Sequence, residues 1–402
     1  MGRTRSIHCA SPRSLAHAAL GRRRAVRNRC AVNELPTKEQ TTRIGGELRI
    51  GFVPLADCAP IVMAHECGLF ARYGVKVALS RELGWATIRD KIIYGELDAA
   101  HAVAGMPVAA TLGLGSIRCE CLTALVLNLH GNAITLSNEL WRAGVRNGVT
   151  LREAIARARH ERTITLGVVH PYSSHHFLLR DWLAASGIDP DRDVRIVVVP
   201  PPQVVANLKS GNLDGFCVGE PWNTVAVQAR AGWCVAVSAE LDPGHPEKVF
   251  MVRRAFAEKH SDQHLALVAA LLEACAICDA PENRGRIVAT LARPEYVNVS
   301  EDALRLGFEG QMDFGHGEIR AVPDFHVFHR GNANEPSGER AAWVLRRLRA
   351  SGLCKEPLNF NLGRRAFRAD LHEAALAVRS SKSTPHEIEP ETELTEAAFN
   401  SA

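Results

Sequence analysis

The sequence predicts an α/β protein of two lobes with a ligand cleft between them, and three observations carry that expectation. Short apolar runs bounded by turn residues alternate with helix-length segments from residue 46 to about 250. The alternation breaks off at 138–149 and then resumes. From Met251 the pattern turns mainly helical, as expected of a chain that leaves one α/β lobe, builds a second and returns to pack on the first.

The elements follow in order. Leu48 to Val53 reads as a short buried strand. Ala59 to Tyr73 reads as a helix ended by Gly74, and Val75 to Leu79 as the next strand. Ile88 to Tyr94 is helical, Leu97 to His101 a strand, Met106 to Leu112 helical and Leu122 to Asn128 a strand. Beyond the irregular stretch, Ile164 to Val169, Val194 to Val199 and Gly215 to Val218 are strands. Ser174 to Ser186, Pro202 to Ser210 and Pro221 to Ala231 are the helices between them. Such βαβ units imply parallel sheets. His264 to Ala280, Arg284 to Ala292, Ser300 to Gly310 and Glu339 to Ser351 are the later helices. The expected division is a basic, disordered extension at 1–45, a discontinuous first lobe at 46–130 plus 249–378, a second lobe at 131–248, and a disordered tail at 379–402.

Composition excludes some classes. The 402 residues carry a formal net charge of +4, with 46% hydrophobic and 23% charged residues, ordinary for a globular protein. Residues 1–45 hold ten Lys and Arg against Glu34 and Glu39, so the remainder is mildly acidic and offers no direct nucleic-acid surface. No stretch approaches 18 apolar residues, so no membrane span is expected. Leu15 to Leu20 is too short an apolar run for an export signal, and His17 breaks it. That favours the cytoplasm, with a periplasmic location as the alternative if the start site is misassigned. Eleven cysteines without framework spacing fit a reducing compartment. Cys275 and Cys278 lie in an apolar helical pattern and read as core rather than as metal or redox ligands.

No dinucleotide or phosphate-binding glycine loop occurs, and no nucleophile elbow or zinc-binding helix. A non-enzymatic protein without cofactor or metal is therefore expected. His175 opens a helix in Pro171-Tyr-Ser-Ser-His-His176, where free N–H groups and an imidazole make an anion site; a loop histidine that merely caps the helix fits equally. Lys248, in Gly244-His-Pro-Glu-Lys-Val-Phe250, could neutralise a bound anion or be an ordinary surface lysine. Trp85 opens a helix after Gly84 and could lie flat on a planar ligand or fill core. Asn132 carries an amide near a strand break, where a turn role is also natural. Glu220, in Gly219-Glu-Pro-Trp-Asn223 after a strand, could orient His175 or Lys248 or fix the hinge. Ligands in open α/β sheets sit off the carboxyl ends of such strands.

Taken together these segments resemble the nitrate- and bicarbonate-binding proteins of cyanobacterial ABC transporters. They resemble still more closely the cytoplasmic nitrate/nitrite sensors that regulate nitrate-assimilation operons. The matching stretches include Gly51 to Pro60, Trp85 to Asp90, Leu97 to His101, Asn128 to Ser137, Val197 to Gln203, Phe216 to Asn223 and His245 to Lys248, in order over about 46–370. The resemblance implies a type II periplasmic-binding-protein-like fold with the ligand in the interlobe cleft. It implies contacts from Trp85 and the adjacent backbone of Ala86, an amide from Asn132 (or a role for His130), a hydrogen bond from His175 and the positive charge from Lys248. It further implies a sensor whose unliganded form holds an RNA-binding antiterminator partner, or alternatively a substrate-binding component that serves an ABC permease and ATPase. Nitrate and nitrite have only acceptor oxygens, so their ideal site has donors, one cation and no carboxylate in contact. Bicarbonate donates a proton and tolerates a carboxylate, and Lys248 therefore favours nitrate or nitrite.

Overall fold

The computed structural model describes residues 46–158, 162–355 and 359–383; the basic extension at 1–45 and the tail beyond residue 383 lie outside them. Thirteen strands are present among the described residues: β1 Leu48–Phe52, β2 Val77–Arg81, β3 Ala99–Val103, β4 Cys121–His130, β5 Asn132–Ser137, β6 Thr165–Val168, β7 Arg195–Val198, β8 Gly215–Gly219, β9 Gly232–Val237, β10 Pro246–Arg253, β11 Gln311–Gly315, β12 Glu318–Ala321 and β13 His326–Val327. They form a six-stranded sheet in the order β13-β4-β10-β3-β1-β2, a five-stranded sheet in the order β7-β6-β8-β5-β9, and the β11-β12 hairpin. The α/β class with two sheet-centred lobes is as expected.

The sheets are mixed, not parallel as the alternation of strands and helices suggested. β1, β2 and β3 pair in parallel, as do β6, β7 and β8. β10 runs antiparallel to both β3 and β4, and β5 antiparallel to both β8 and β9. The cause is the path of the chain between the lobes. β5 enters the second sheet one residue after β4 of the first, and β10 brings the chain back into the first sheet, and each of these two buried crossing strands runs against both of its neighbours. Gly131 makes the crossing from β4 to β5. Its φ is +96°, and a Cβ there would lie 2.4 Å from the His326 ring, so glycine is required twice over.

Other boundaries shift for local reasons. The helix expected at 59–73 is two, Ala59–Glu66 and Leu69–Arg72, because Gly68 adopts φ +65° between them. The stretch at 138–149 is not irregular: helix Asn138–Arg142 and the start of helix Gly148–Ala158 fill it, the former capped by the Ser137 hydroxyl. The last helix, Ala369–Ser383, continues five residues into the span expected as tail. Ser380 and Ser381 there bond back to the carbonyls of Leu376 and Val378. Helix Ser261–Asp279 is long and apolar enough by composition to cross a membrane, with mean hydropathy 1.3. Eleven of its residues are buried in the protein core, where it packs between the helices Ala59–Glu66 and Ala369–Ser383. That packing accounts for its apolar sequence, and Cys275 and Cys278 are among the buried residues.

The lobes are closed upon each other. One apolar cluster runs from Trp85 and Val103 through Tyr172 and Phe177 to Val218 and Trp222. The Trp222 indole N–H donates to the Pro54 carbonyl at 3.1 Å, and the Ala56 N–H donates to the Glu220 carbonyl at 2.7 Å. Gly105, after β3, lies so near the Tyr172 carbonyl that a Cβ would sit 2.2 Å from it.

Candidate functional site

Where the lobes meet, side chains from both converge on Lys248. β10 supplies Glu247 and Lys248. Neighbouring residues of a regular strand point to opposite faces. Here the pairing of β10 with β4 shifts register on both sides of Lys248, and such a bulge re-aims side chains. Both residues consequently enter one cluster, with Lys248 and Glu247 in direct contact. The turn after β1 supplies Asp57, and β3 supplies His101. From the other lobe, β5 opens with Asn132, and helix Ser174–Ala185 opens with Ser174 and His175 behind the Ser173 cap.

The geometry is tight. Lys248 Nζ lies 2.7 Å from Asp57 Oδ2 and 3.4 Å from His175 Nε2, and 5.4 Å from the centre of the Trp85 ring. His175 Nε2 lies 2.9 Å from Glu247 Oε1, and His245 Nε2 lies 3.4 Å from Glu247 Oε2. His101 Nε2 lies 3.0 Å from Asp57 Oδ1, and its ring packs against Trp85. The Asn132 amide and the Ser174 hydroxyl both donate to Glu247 Oε2. Lys248, Glu247, His175 and Asn132 are each 0% exposed.

Charge in so dry a place persists only when paired. Burial raises the Asp57 carboxyl, but Lys248 and His101 outweigh it and hold it at about 2. Burial likewise raises Glu247, and Lys248 and His175 bring it well below the usual carboxylate range. Burial lowers Lys248, but Asp57 and Glu247 more than restore it. For His101 and His175 burial prevails, and both are harder to protonate than a free imidazole. Two carboxylates thus surround one ammonium, with neutral histidines at the edge.

Of the residues singled out in the sequence, Trp85, Asn132, His175 and Lys248 come together. Ala86 is exposed, one residue beyond the buried Trp85. His130 is engaged elsewhere: its Nδ1 meets the Asp324 carbonyl at 2.8 Å and its Nε2 accepts the Gly244 N–H at 2.6 Å. Glu220 does not orient His175 or Lys248. Its carboxylate turns back to accept the Thr224 N–H at 3.3 Å, and burial pushes it up to about 7. The orienting carboxylates are Glu247 and Asp57, which sequence reasoning missed, together with His101, Ser174 and His245. Two carboxylates thus lie in the cluster, held against Lys248, His101 and His175. Signals existed: Asp57 follows a parallel strand at its carboxyl end, and Glu247 adjoins Lys248.

With this geometry in place, comparisons with known proteins are informative. A family model described as NMT1-like matches residues 45–292. The chain is 43% identical over 328 residues to the nitrate import ATP-binding protein NrtC of Synechocystis sp. PCC 6803, covering 81% of this chain and 49% of that protein. It is 40% identical over 323 residues to the bicarbonate transport ATP-binding protein CmpC of the same organism, covering 78% and 47%. The chain thus spans about half the length of these curated relatives. Its fold matches the crystal structure of the periplasmic nitrate-binding protein NrtA from Synechocystis PCC 6803 with a TM-score of 0.79 at 28% identity, over 84% of this chain and 90% of that one.

Proposed function

The chain belongs to the NMT1-like family, and on that premise we propose that it binds nitrate or nitrite between its lobes as the substrate-binding part of an ATP-driven importer. The observation that carries this reading is the fully buried Lys248 ammonium, set against the Trp85 ring and beside His175 and Asn132. A cation, donors and a flat apolar face suit a planar anion with only acceptor oxygens. The likeness to a nitrate-binding protein over most of both chains supports the same ligand. The sequence has no phosphate-binding loop, so its part is to hold the ligand rather than to hydrolyse ATP.

Isothermal titration of the full chain with nitrate, nitrite and bicarbonate tests this. Heat from nitrate or nitrite, and none from bicarbonate, is the expected result; binding of bicarbonate alone overturns it. The expected cytoplasmic sensor uses the same ligand but a different partner. The relatives named above are transport proteins, which favours the importer over an antiterminator partner. Recovery from the cell with a permease and its ATPase supports the importer. Recovery from the cytoplasm with an RNA-binding protein reverses that order.

A further inference from the structure

We propose that Cys119 and Cys121 are a peroxide-sensitive pair, in which Cys119 is oxidised first and Cys121 closes on it as a disulfide. The pair sits at the end of β4 remote from the ligand cluster, so the proposal is independent of the nitrate reading.

Three observations lead there. The first is proximity. The two cysteines stand two apart at the start of β4, a spacing that puts side chains on one face. The Cys121 S–H donates to the Cys119 sulfur, 3.9 Å away. Two residues of strand span about 6.6 Å, inside the range of about 4.4–6.8 Å that disulfides bridge. The second is anchoring. Glu120, between them, is drawn away by Arg254, whose Nε lies 2.8 Å from its Oε2, and by Arg365. The Cys119 N–H donates to the Ala110 carbonyl at 2.9 Å, and the Cys121 N–H to the Thr111 hydroxyl at 3.1 Å. The backbone therefore holds both sulfurs on their shared face. The third is the difference between the two thiols. Cys119 is half-buried and Cys121 is buried. Arg253 of β10 stands opposite Cys121 in the sheet and favours negative sulfur nearby. The S–H received from Cys121 brings the Cys119 thiol down from 9.0 to about 7, against burial and Glu120. The same contact, with burial, raises Cys121. The reachable sulfur is thus the one that carries thiolate at neutral pH, which is the reactive form.

Other described thiols are placed differently. Cys58, Cys217, Cys234, Cys275 and Cys278 are buried, and burial raises each. Cys354 is also buried. Cys67 is half-buried and lies near Cys278, which makes it the competitor that a test must separate.

The chemistry is a two-electron oxidation in two steps, with a hydroperoxide as the oxidant. The Cys119 thiolate attacks one peroxide oxygen and the O–O bond breaks. Hydroxide leaves and takes up a proton as water, and Cys119 becomes a sulfenic acid. The Cys121 sulfur then displaces the hydroxyl from Cys119. The S–O bond breaks, the S–S bond forms, and the Cys121 proton leaves with the hydroxide as a second water. Two thiols are oxidised and one peroxide is reduced to two waters.

The test treats the full reduced chain at neutral pH with hydrogen peroxide and stops the reaction with catalase. The chain is then unfolded in urea with N-ethylmaleimide, digested with trypsin and weighed by mass spectrometry. Trypsin cuts after Arg118 and Arg142, so both sulfurs lie on one peptide, Cys119 to Arg142. The expected result is a peptide that has lost two hydrogens and both maleimide labels, while Cys67 keeps its own. Reduction by a phosphine before labelling restores both. In Cys121→Ser, Cys119 is expected to stop at the sulfenic acid and to be captured by dimedone. In Cys119→Ser, Cys121 is expected to stay a thiol and to label in full. Labels retained on both cysteines of the unaltered chain overturn the proposal. So does a disulfide from Cys119 to any other cysteine, and so does Cys119 oxidised to the sulfinic acid with Cys121 still labelled. The measurement on the unaltered chain decides the pairing whether or not either variant folds.

Discussion

Among the described residues, Lys248 is the only ammonium beside the two carboxylates Asp57 and Glu247, which water does not reach. Removing one partner of a buried pair leaves an uncompensated charge, which typically costs about 3–5 kcal/mol. Lys248→Met is therefore expected to lower the unfolding free energy by that order without ligand present, read as a lower urea midpoint. An unchanged midpoint would show that Asp57 and Glu247 are not both ionised in the native protein. The four residues that gather here from the sequence reading, Trp85, Asn132, His175 and Lys248, were legible because each opens a strand or helix or sits at a strand entry. Glu247 was not, although it adjoins Lys248, because alternation along a regular strand puts neighbours on opposite faces and the bulge has no sequence signature. Asp57 and His101 were hidden for a related reason. An acid in a loop and a histidine in an apolar run acquire meaning only when the fold brings them 3.0 Å apart.

At the scale of elements, closure depends on how near two loops can come. Gly105 has an ordinary backbone conformation, φ −78°, so alanine there strains nothing locally. Its Cβ would nevertheless meet the Tyr172 carbonyl of the other lobe at 2.2 Å, and backbone does not yield as a side-chain tip does. Gly105→Ala is expected to hold the lobes apart, weakening nitrate binding at least tenfold while leaving the thermal midpoint of the unliganded protein within about a degree. Equal affinity in the variant would mean that closure at this contact is not part of binding. The parallel strands β1, β2, β3, β6, β7 and β8 were legible in whole or in part, since each is a short apolar run before a helix. β5 and β9 were not, and for β10 the strand after Lys248 was legible but its reversed pairing was not. Their runs are as apolar as the others, and nothing local says that a strand crosses to the other lobe or pairs backwards.

At the scale of the whole molecule, the unusual quantity is buried neutral histidine. Burial pushes His130, His264 and His326 down to about 4 and His170 to about 3, against 6.5 for a free imidazole. The unfolded chain binds protons on these groups below pH 6.5 and the folded chain does not. Stability is thus fully present above that pH and is lost as pH falls from 6.5 towards 4. Each such group contributes a slope approaching about 1.4 kcal/mol per pH unit in that window. Glu220, raised from 4.5 to about 7, opposes the slope of one histidine in this window, leaving a net loss as the pH falls, while the ion-paired carboxylates act elsewhere. Asp57 is depressed from 3.8 to about 2, so its contribution persists above pH 3.8 and is lost only below it. The two causes are therefore separable by where the loss begins. Thermal midpoints measured at successive pH values are expected to decline from about pH 6.5, by several degrees before pH 5. A midpoint that stays level down to about pH 4.5 and falls only then would assign acid sensitivity to the carboxylates. It would also mean that these histidines are protonated within the native fold.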